Sequence, residues 1–224
     1  MTPTESVTMK IALFGATGNI GQRVTAEALR RGHTVTGIVR DPDQVKSPDS
    51  HVPLVQGDAT DAESVAKVSR GADAIVSAIS PRPNGRGLGA PSLTKAAKAL
   101  IAGAKKAHVK RLLVVGGAGS LEVAPGKKLM DAPGFPDAYK AEARESADSL
   151  DVYRAEGVGV DWTYMSPAAE IGAGQRTGRY RTTGDQFLTD AKGHSIISFE
   201  DYAVALLDEL ESPKHKGERF GVAY

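Results

Sequence analysis

The chain has no cysteine among its 224 residues, which removes disulfides, thiolate metal sites and cysteine nucleophiles from consideration. Nor is there an excess of either charge: 28 basic residues stand against 27 acidic ones, a formal net charge of +1. Such a balance gives no general pull on phosphate backbones or anionic lipid, so neither nucleic acid nor a membrane is expected as a partner. A run of about 18 apolar residues, the length a spanning helix needs, is missing as well. Met1–Thr8 lacks the basic and then apolar pattern of a secretory leader and reads as a frayed tail. Together with the lack of cysteine, this makes the cytoplasm the expected compartment. The five histidines, at 33, 51, 108, 194 and 215, have no metal-ligand spacing. Surface or loop roles are expected for all five, with His194 of interest only because it borders a long irregular segment. There is no G-x-S-x-G elbow, so a serine hydrolase has no support.

What is present is an alternation of short apolar runs with longer helical stretches, the pattern of a parallel sheet with crossover helices. Strands are expected at Lys10–Phe14, Thr34–Val39, Val52–Gln56, Asp73–Ser77, Arg111–Val115, Asp161–Met165 and Arg219–Ala223. Helices are expected over Asn19–Arg31, Asp61–Arg70, Ser92–Ala107, Ala138–Glu156 and from Ser198 to about Ser212. Asp201, three residues after Ser198, suggests a capping box with Asp in place of Glu. This length and pattern give one α/β domain over residues 9–224. Two stretches break the rhythm. Ser80–Pro91 is a proline- and glycine-rich loop, and Ala168–Gly193 is an irregular segment with a short hairpin near Tyr180–Thr183. Both follow strand C-termini, where a doubly wound sheet has its ligand crevice, so both are expected as substrate-side walls. Trp162 and Tyr164 alternate with Asp161 and Thr163, which points to core packing on one face.

The central motif is Gly15-Ala16-Thr17-Gly18-Asn19-Ile20-Gly21. Gly15 lets the chain leave the strand in a tight turn, Gly18 lets backbone approach a diphosphate, and Gly21 lets the helix pack close to the sheet. The diphosphate would sit on the leading N–H groups of a helix, where the macrodipole favours anions. Thr17 and Asn19 offer further donors. Strand two ends at Val39-Arg40-Asp41. An acid here would bind the ribose hydroxyls of NAD, whereas an arginine accommodates the 2′-phosphate of NADP. Arg40 comes first and Asp41 can instead cap a turn before Pro42, so NADP(H) is preferred to NAD(H). Asp58 and Ala59 follow strand three, where adenine should lie. Asp58 either accepts from its amino group or caps the next helix.

With GATGNIG at 15–21, Gly57-Asp58-Ala59-Thr60-Asp61 and the run from Leu112 to Ser120, the chain resembles the atypical short-chain dehydrogenase/reductases. Within them it is similar to the NmrA-like and biliverdin reductase B-like group, and above all to proteins provisionally called NADH-flavin reductases. Ser166-Pro167, Arg176–Arg181, Ile197–Ala203 and Glu211–His215 carry the more distinctive part of the likeness. The resemblance implies a Rossmann sheet in the order 3-2-1-4-5-6-7 with the cofactor across its C-terminal edge. It also implies that Lys140 holds the nicotinamide ribose, that Ala78, Ile79 and Ser80 line its other side, and that Ser166 and Pro167 meet the carboxamide. Ser120 falls near the usual serine position. Ordinary members pair a tyrosine with that lysine, but here Pro136 occupies the tyrosine slot. Tyr139, one residue before Lys140, lies about 100° away round the helix and is no simple substitute.

Reduction of a carbonyl benefits from a positioned acid. Hydride transfer to a flavin or quinone gives a delocalised anion that solvent can protonate. The expected function is therefore an NADPH-dependent reductase acting on a planar small molecule, with FMN or FAD among the substrates considered. Arg176 and Tyr180 are candidate substrate contacts, and Arg176, Arg179 and Arg181 form a basic cluster suited to a flavin phosphate or simply to solvent. A redox sensor of the NmrA type that binds NADP(H) without turnover is the alternative. A sugar-nucleotide epimerase or dehydratase is third, disfavoured by Pro136. The oligomeric state is left open between monomer and homodimer.

Overall fold

The computed structural model describes residues 8–45, 52–81 and 91–224. The strands are β1 (Lys10–Phe14), β2 (Thr34–Val39), β3 (Leu54–Gln56), β4 (Ala74–Ser77), β5 (Arg111–Val115), β6 (Glu122–Ala124), β7 (Lys127–Lys128), β8 (Asp161–Ser166), β9 (Glu170–Gly172), β10 (Arg181–Thr183), β11 (Ile196–Ser198) and β12 (Glu218–Ala223). The helices are α1 (Asn19–Arg30), α2 (Ala62–Ser69), α3 (Leu93–Ala107), α4 (Asp137–Glu156) and α5 (Phe199–Glu211). Eight strands form the main sheet in the order β10-β12-β8-β5-β4-β1-β2-β3. Without β10, that is the order 3-2-1-4-5-6-7 implied by the resemblance, and every pairing among those seven strands is parallel.

Parallel strands need helices on both faces, and the side chains divide accordingly. Ile11, Leu13, Val76, Leu113, Met165 and Phe220 face one way, onto Val24 and Ala28 of α1 and Tyr202, Leu206 and Leu210 of α5. Ala12, Phe14, Ile75, Leu112, Val114, Trp162 and Tyr164 face the other way, onto α2, α3 and α4 through Val65, Leu100, Ile101, Leu150 and Tyr153. Trp162 and Tyr164 thus pack in the core as expected, and the intervening Thr163 and Met165 are buried too because both faces are covered.

Several expected elements shift. Val52 is buried but lies before β3, which is only three residues long. The turn near Tyr180–Thr183 is not a local hairpin: β10 pairs antiparallel with β12, Arg181 opposite Ala223. Within Ala168–Gly193, the stretch from 174 to 178 lies against α5. Backbone N–H groups of Thr177 and Gly178 donate to Asp201 Oδ1 at 2.8 and 2.7 Å, and Gly174 donates to Glu200 at 2.8 Å, which fastens this stretch along α5. Ser198 does cap α5, accepting from Asp201 N at 2.9 Å. The reciprocal half of the capping box is replaced: the Asp201 carboxylate binds Thr177, Gly178 and Tyr224, while Ser198 N donates to Tyr224 Oη. His33 is buried rather than superficial, bridging Met9 N and Glu211. The greater part of the Ser80–Pro91 loop, with His51 and the first seven residues, lies outside the described residues.

Candidate dinucleotide site

β1 hydrogen-bonds to β2 on one side and β4 on the other. The chain therefore moves outward in opposite directions from β1, which leaves a crevice beyond the strand ends. A cleft of ≈ 350 Å³ occupies that position. Its floor is the turn after β1, where Gly15 N donates to Ile38 O at 3.3 Å and Ala78 N donates to Phe14 O at 2.8 Å. Gly15 has φ +79°, and a Cβ there would meet Ala78 O at 2.5 Å, so no other residue fits without moving the backbone.

The next three residues rise to α1. Its N-cap is Gly18, which offers no side-chain bond, and its first turn contains no acid. By contrast, α2, α3 and α5 are capped by Asp61, Ser92 and Ser198. Gly18 N donates to Gly15 O at 3.0 Å, and the leading amides of α1, left without a side-chain acceptor, begin at Asn19 in the cleft wall. A Cβ on Gly18 would touch nothing in the protein more closely than Gly15 O at 3.4 Å. The glycine there is not demanded by internal packing; it keeps the cleft wall flat beside the helix terminus. These features fit a diphosphate bound by backbone N–H groups.

The wall over β2 is built by Arg40, Asp41 and Gln44. Asp41 caps the short turn Pro42–Gln44, with Oδ1 accepting from Asp43 N at 3.1 Å and Oδ2 from Gln44 Nε2 at 2.6 Å. The capping alternative for Asp41 is therefore the one the structure adopts. Asp58 and Ala59 line the far end. Asp58 Oδ1 accepts from both Thr60 N and Thr60 Oγ1 at 2.8 Å, while the cap of α2 is Asp61, not Asp58. Ala78, Ile79 and Ser80 complete the wall beyond β4.

Ten of the residues singled out in the sequence thus meet in one place: Gly15, Thr17, Gly18, Asn19, Arg40, Asp58, Ala59, Ala78, Ile79 and Ser80. The others do not. Ile20 packs partly into the core, and Gly21 is buried beneath the Gly15 turn rather than against the sheet. Lys140 lies outside the cleft, paired with Asp137 Oδ1 at 2.7 Å in the exposed first turn of α4. Ser120, expected near the reacting centre, is buried and accepts from Arg219 Nη1 at 3.3 Å. The same nitrogen lies 3.5 Å from Ser166 Oγ, and Pro167 beside it is buried. Arg176 does not line the cleft and grips Glu27 of α1 through Nε and Nη2 at 2.8 and 3.0 Å. Tyr180 donates to Asp208 of α5 at 2.5 Å, also away from the cleft. Sequence reasoning missed Gln44, which lines the cleft, and the buried Arg219, which lies outside it and binds Ser120. Only the first had a local signal, an amide three residues beyond an Asp-Pro.

Pro136, which the resemblance aligns with the usual catalytic tyrosine, is the N-cap of α4. Tyr164, behind the β5 turn, is no replacement. Its hydroxyl donates to Ser146 O at 2.8 Å, and burial pushes its pKa up, against the weaker effect of its hydrogen-bond partners. No cluster of metal-ligating side chains occurs among the described residues, and none of their helices is long and apolar enough to cross a membrane.

Comparison with known proteins places the chain. A solved Burkholderia pseudomallei structure, named as an exported protein, is 46% identical with TM-score 0.86, covering 97% of this chain and 100% of its own. A Bacteroides thetaiotaomicron structure provisionally called an epimerase is 40% identical with TM-score 0.85, covering 97% and 98%. A Streptococcus pneumoniae TIGR4 structure provisionally called an NADH-flavin reductase is 34% identical with TM-score 0.81, covering 96% and 99%. The family described as NAD(P)H-binding matches residues 15–213, and the chain belongs to that NAD(P)H-binding family.

Proposed function

We propose that this protein is an NADPH-dependent reductase whose acceptor is a planar, delocalised small molecule of the flavin or quinone type. The observation that carries the cofactor half is the corner of the cleft where Arg40 follows β2 and the neighbouring carboxylate of Asp41 is taken up by its own turn. A guanidinium suits a 2′-phosphate, and an acid already capping a turn is poorly placed to accept from a ribose diol. The bound nicotinamide would supply hydride. The protein's share is to hold the diphosphate on the α1 terminus and to aim the far half of the cofactor past Ala78–Ser80.

The acceptor half rests on Pro136. Pro136 caps α4, and the resemblance aligns it with the tyrosine of ordinary members, so the residue at that position offers no phenol to protonate an alkoxide. An acceptor whose reduced form spreads its charge needs no such donor. The name of the Streptococcus pneumoniae relative agrees with this reading, and that of the Bacteroides thetaiotaomicron relative points instead to an epimerase. Cofactor oxidation followed by absorbance, with NADPH and NADH run separately against FMN, FAD and small quinones, tests it. Saturable NADPH oxidation with one acceptor is the expected result. Tight NADPH binding with no oxidation by any of them would replace the reductase with a binding-only sensor.

A further inference from the structure

We propose that Gln44 is a specificity-determining residue: it ties the Asp41 carboxylate to the turn after β2 and so leaves this corner of the cleft to a 2′-phosphate. The inference rests on the NADPH reading and adds to it the device that makes that reading work. A carboxylate just beyond the second strand ordinarily binds the adenosine ribose hydroxyls and repels a phosphate on the same ribose. Asp41 stands next to Arg40 in the cleft wall, so the sequence carries both the NAD-type acid and the NADP-type base side by side.

The structure resolves that conflict through one short turn. Asp41 is extended, φ −145° and ψ 99°, and caps Pro42–Gln44. Pro42 at the first position fixes its own φ and brings no N–H of its own, which leaves the carboxylate to the donors at 43 and 44. Asp43 N occupies Oδ1 at 3.1 Å and Gln44 Nε2 occupies Oδ2 at 2.6 Å. The first donor is backbone and belongs to any capped turn. The second is a side chain, and it is the shorter contact, so Gln44 is the replaceable part of the lock. From the other side Gln56 Nε2 donates to Arg40 O at 3.1 Å, which fixes the strand end between the two residues. Gln44 is exposed, so its truncation leaves the core untouched.

The test is a double-variant cycle read by fluorescence titration of NADPH and NADH binding. Gln44→Ala is expected to weaken NADPH about tenfold, the scale of one charge-assisted contact, with NADH held or tightened. Asp41→Asn alone should leave NADPH as tight or tighter, because asparagine still caps but carries no charge. In the Gln44→Ala background, Asp41→Asn should restore NADPH to within about twofold, since contacting residues couple. Unchanged NADPH binding in Gln44→Ala would overturn the lock. So would a loss that persists in the double variant, which would mean direct contact between Gln44 and the cofactor. Equal wild-type affinity for the two cofactors would instead refute the NADPH reading, and the coupling between 41 and 44 would still report on the lock.

Discussion

Gly21 is pressed against the carbonyl oxygen of Gly15: a Cβ added at position 21 would lie 2.1 Å from that oxygen and 2.9 Å from the Ala16 Cα. The first turn of α1 and the exit from β1 are thus one packed unit, and the shape of the loop between them follows from that contact. Gly21→Ala must push the helix off the turn. The expected outcome is about 1–3 kcal/mol of lost stability, the usual cost of overpacking. With it comes at least roughly tenfold weaker cofactor binding, as the diphosphate amides move. Thermal melts and dinucleotide titration check both. Binding equal to wild type would show that the loop holds its shape without this contact.

Arg40 gives a sharper test of cofactor choice. Arg40→Ala removes the guanidinium but leaves its carbonyl, which accepts from Gln56. NADPH affinity should fall roughly 10–100-fold, matching about 1.5–3 kcal/mol for bonds to a charged group. NADH, which lacks the phosphate, should change by no more than about two- to threefold. The phosphate-dependent part should also weaken as salt rises. Equal losses for both cofactors would remove the 2′-phosphate assignment.

How far the cleft was legible in the sequence follows from where its residues lie. Gly15–Asn19, Arg40 and Ala78–Ser80 follow directly on a strand, Asp58–Ala59 follow β3 after Gly57, and parallel pairing brings the strand ends together. Finding the strands was therefore enough to find the site. The partners of Arg176 and Tyr180 were hidden for the opposite reason. Glu27 and Asp208 lie 149 and 28 residues away, and nothing near Arg176 marks Glu27 as a buried acid. The same holds for β10, whose partner strand lies beyond α5. The hairpin of β6 and β7 went unseen because Glu122–Lys128 is too short and polar to show a period of two.

The structural role of Arg176 is itself testable. Glu27 is only 4% exposed and also meets Arg30 and Arg31. Arg176→Ala removes two of the bonds to a nearly buried carboxylate but leaves the other arginines in place. Stability should drop by about 1–2 kcal/mol, while KM and kcat for a flavin or quinone acceptor stay within about twofold. A large rise in acceptor KM with an unchanged melting temperature would return Arg176 to the substrate site.

Tyr139 separates acceptor classes. It is 51% exposed on the first turns of α4, one residue from Lys140. If no phenol serves as acid in this site, Tyr139→Phe should leave flavin or quinone reduction within about twofold of wild type, where a true general acid contributes 10²–10⁴. Efficient turnover of a simple ketone, abolished in this variant, would overturn the acceptor assignment.

Asp201 should govern acid stability. Its burial works to raise its pKa, but Thr177 Oγ1, Gly178 N, Tyr224 Oη and Thr177 N all bind the carboxylate and together hold it below the ordinary aspartate value. A depressed folded pKa means that the ionised group stabilises the fold above the unfolded value, about 3.9. That contribution is then lost as pH falls through the lower folded value. Asp201→Asn keeps one carbonyl acceptor but forfeits the charge and the second oxygen, on which Thr177 Oγ1 and Tyr224 Oη converge. Unfolding at neutral pH should become easier by about 2–3 kcal/mol, typical of lost bonds to a charged group. Below about pH 4 the gap should begin to narrow, and it closes as pH falls through the lower folded value, because protonation does to the wild type what the substitution did. Urea unfolding of both from pH 7 to pH 3 measures this. A constant gap across that range would assign the loss to packing around Tyr224 rather than to the charge.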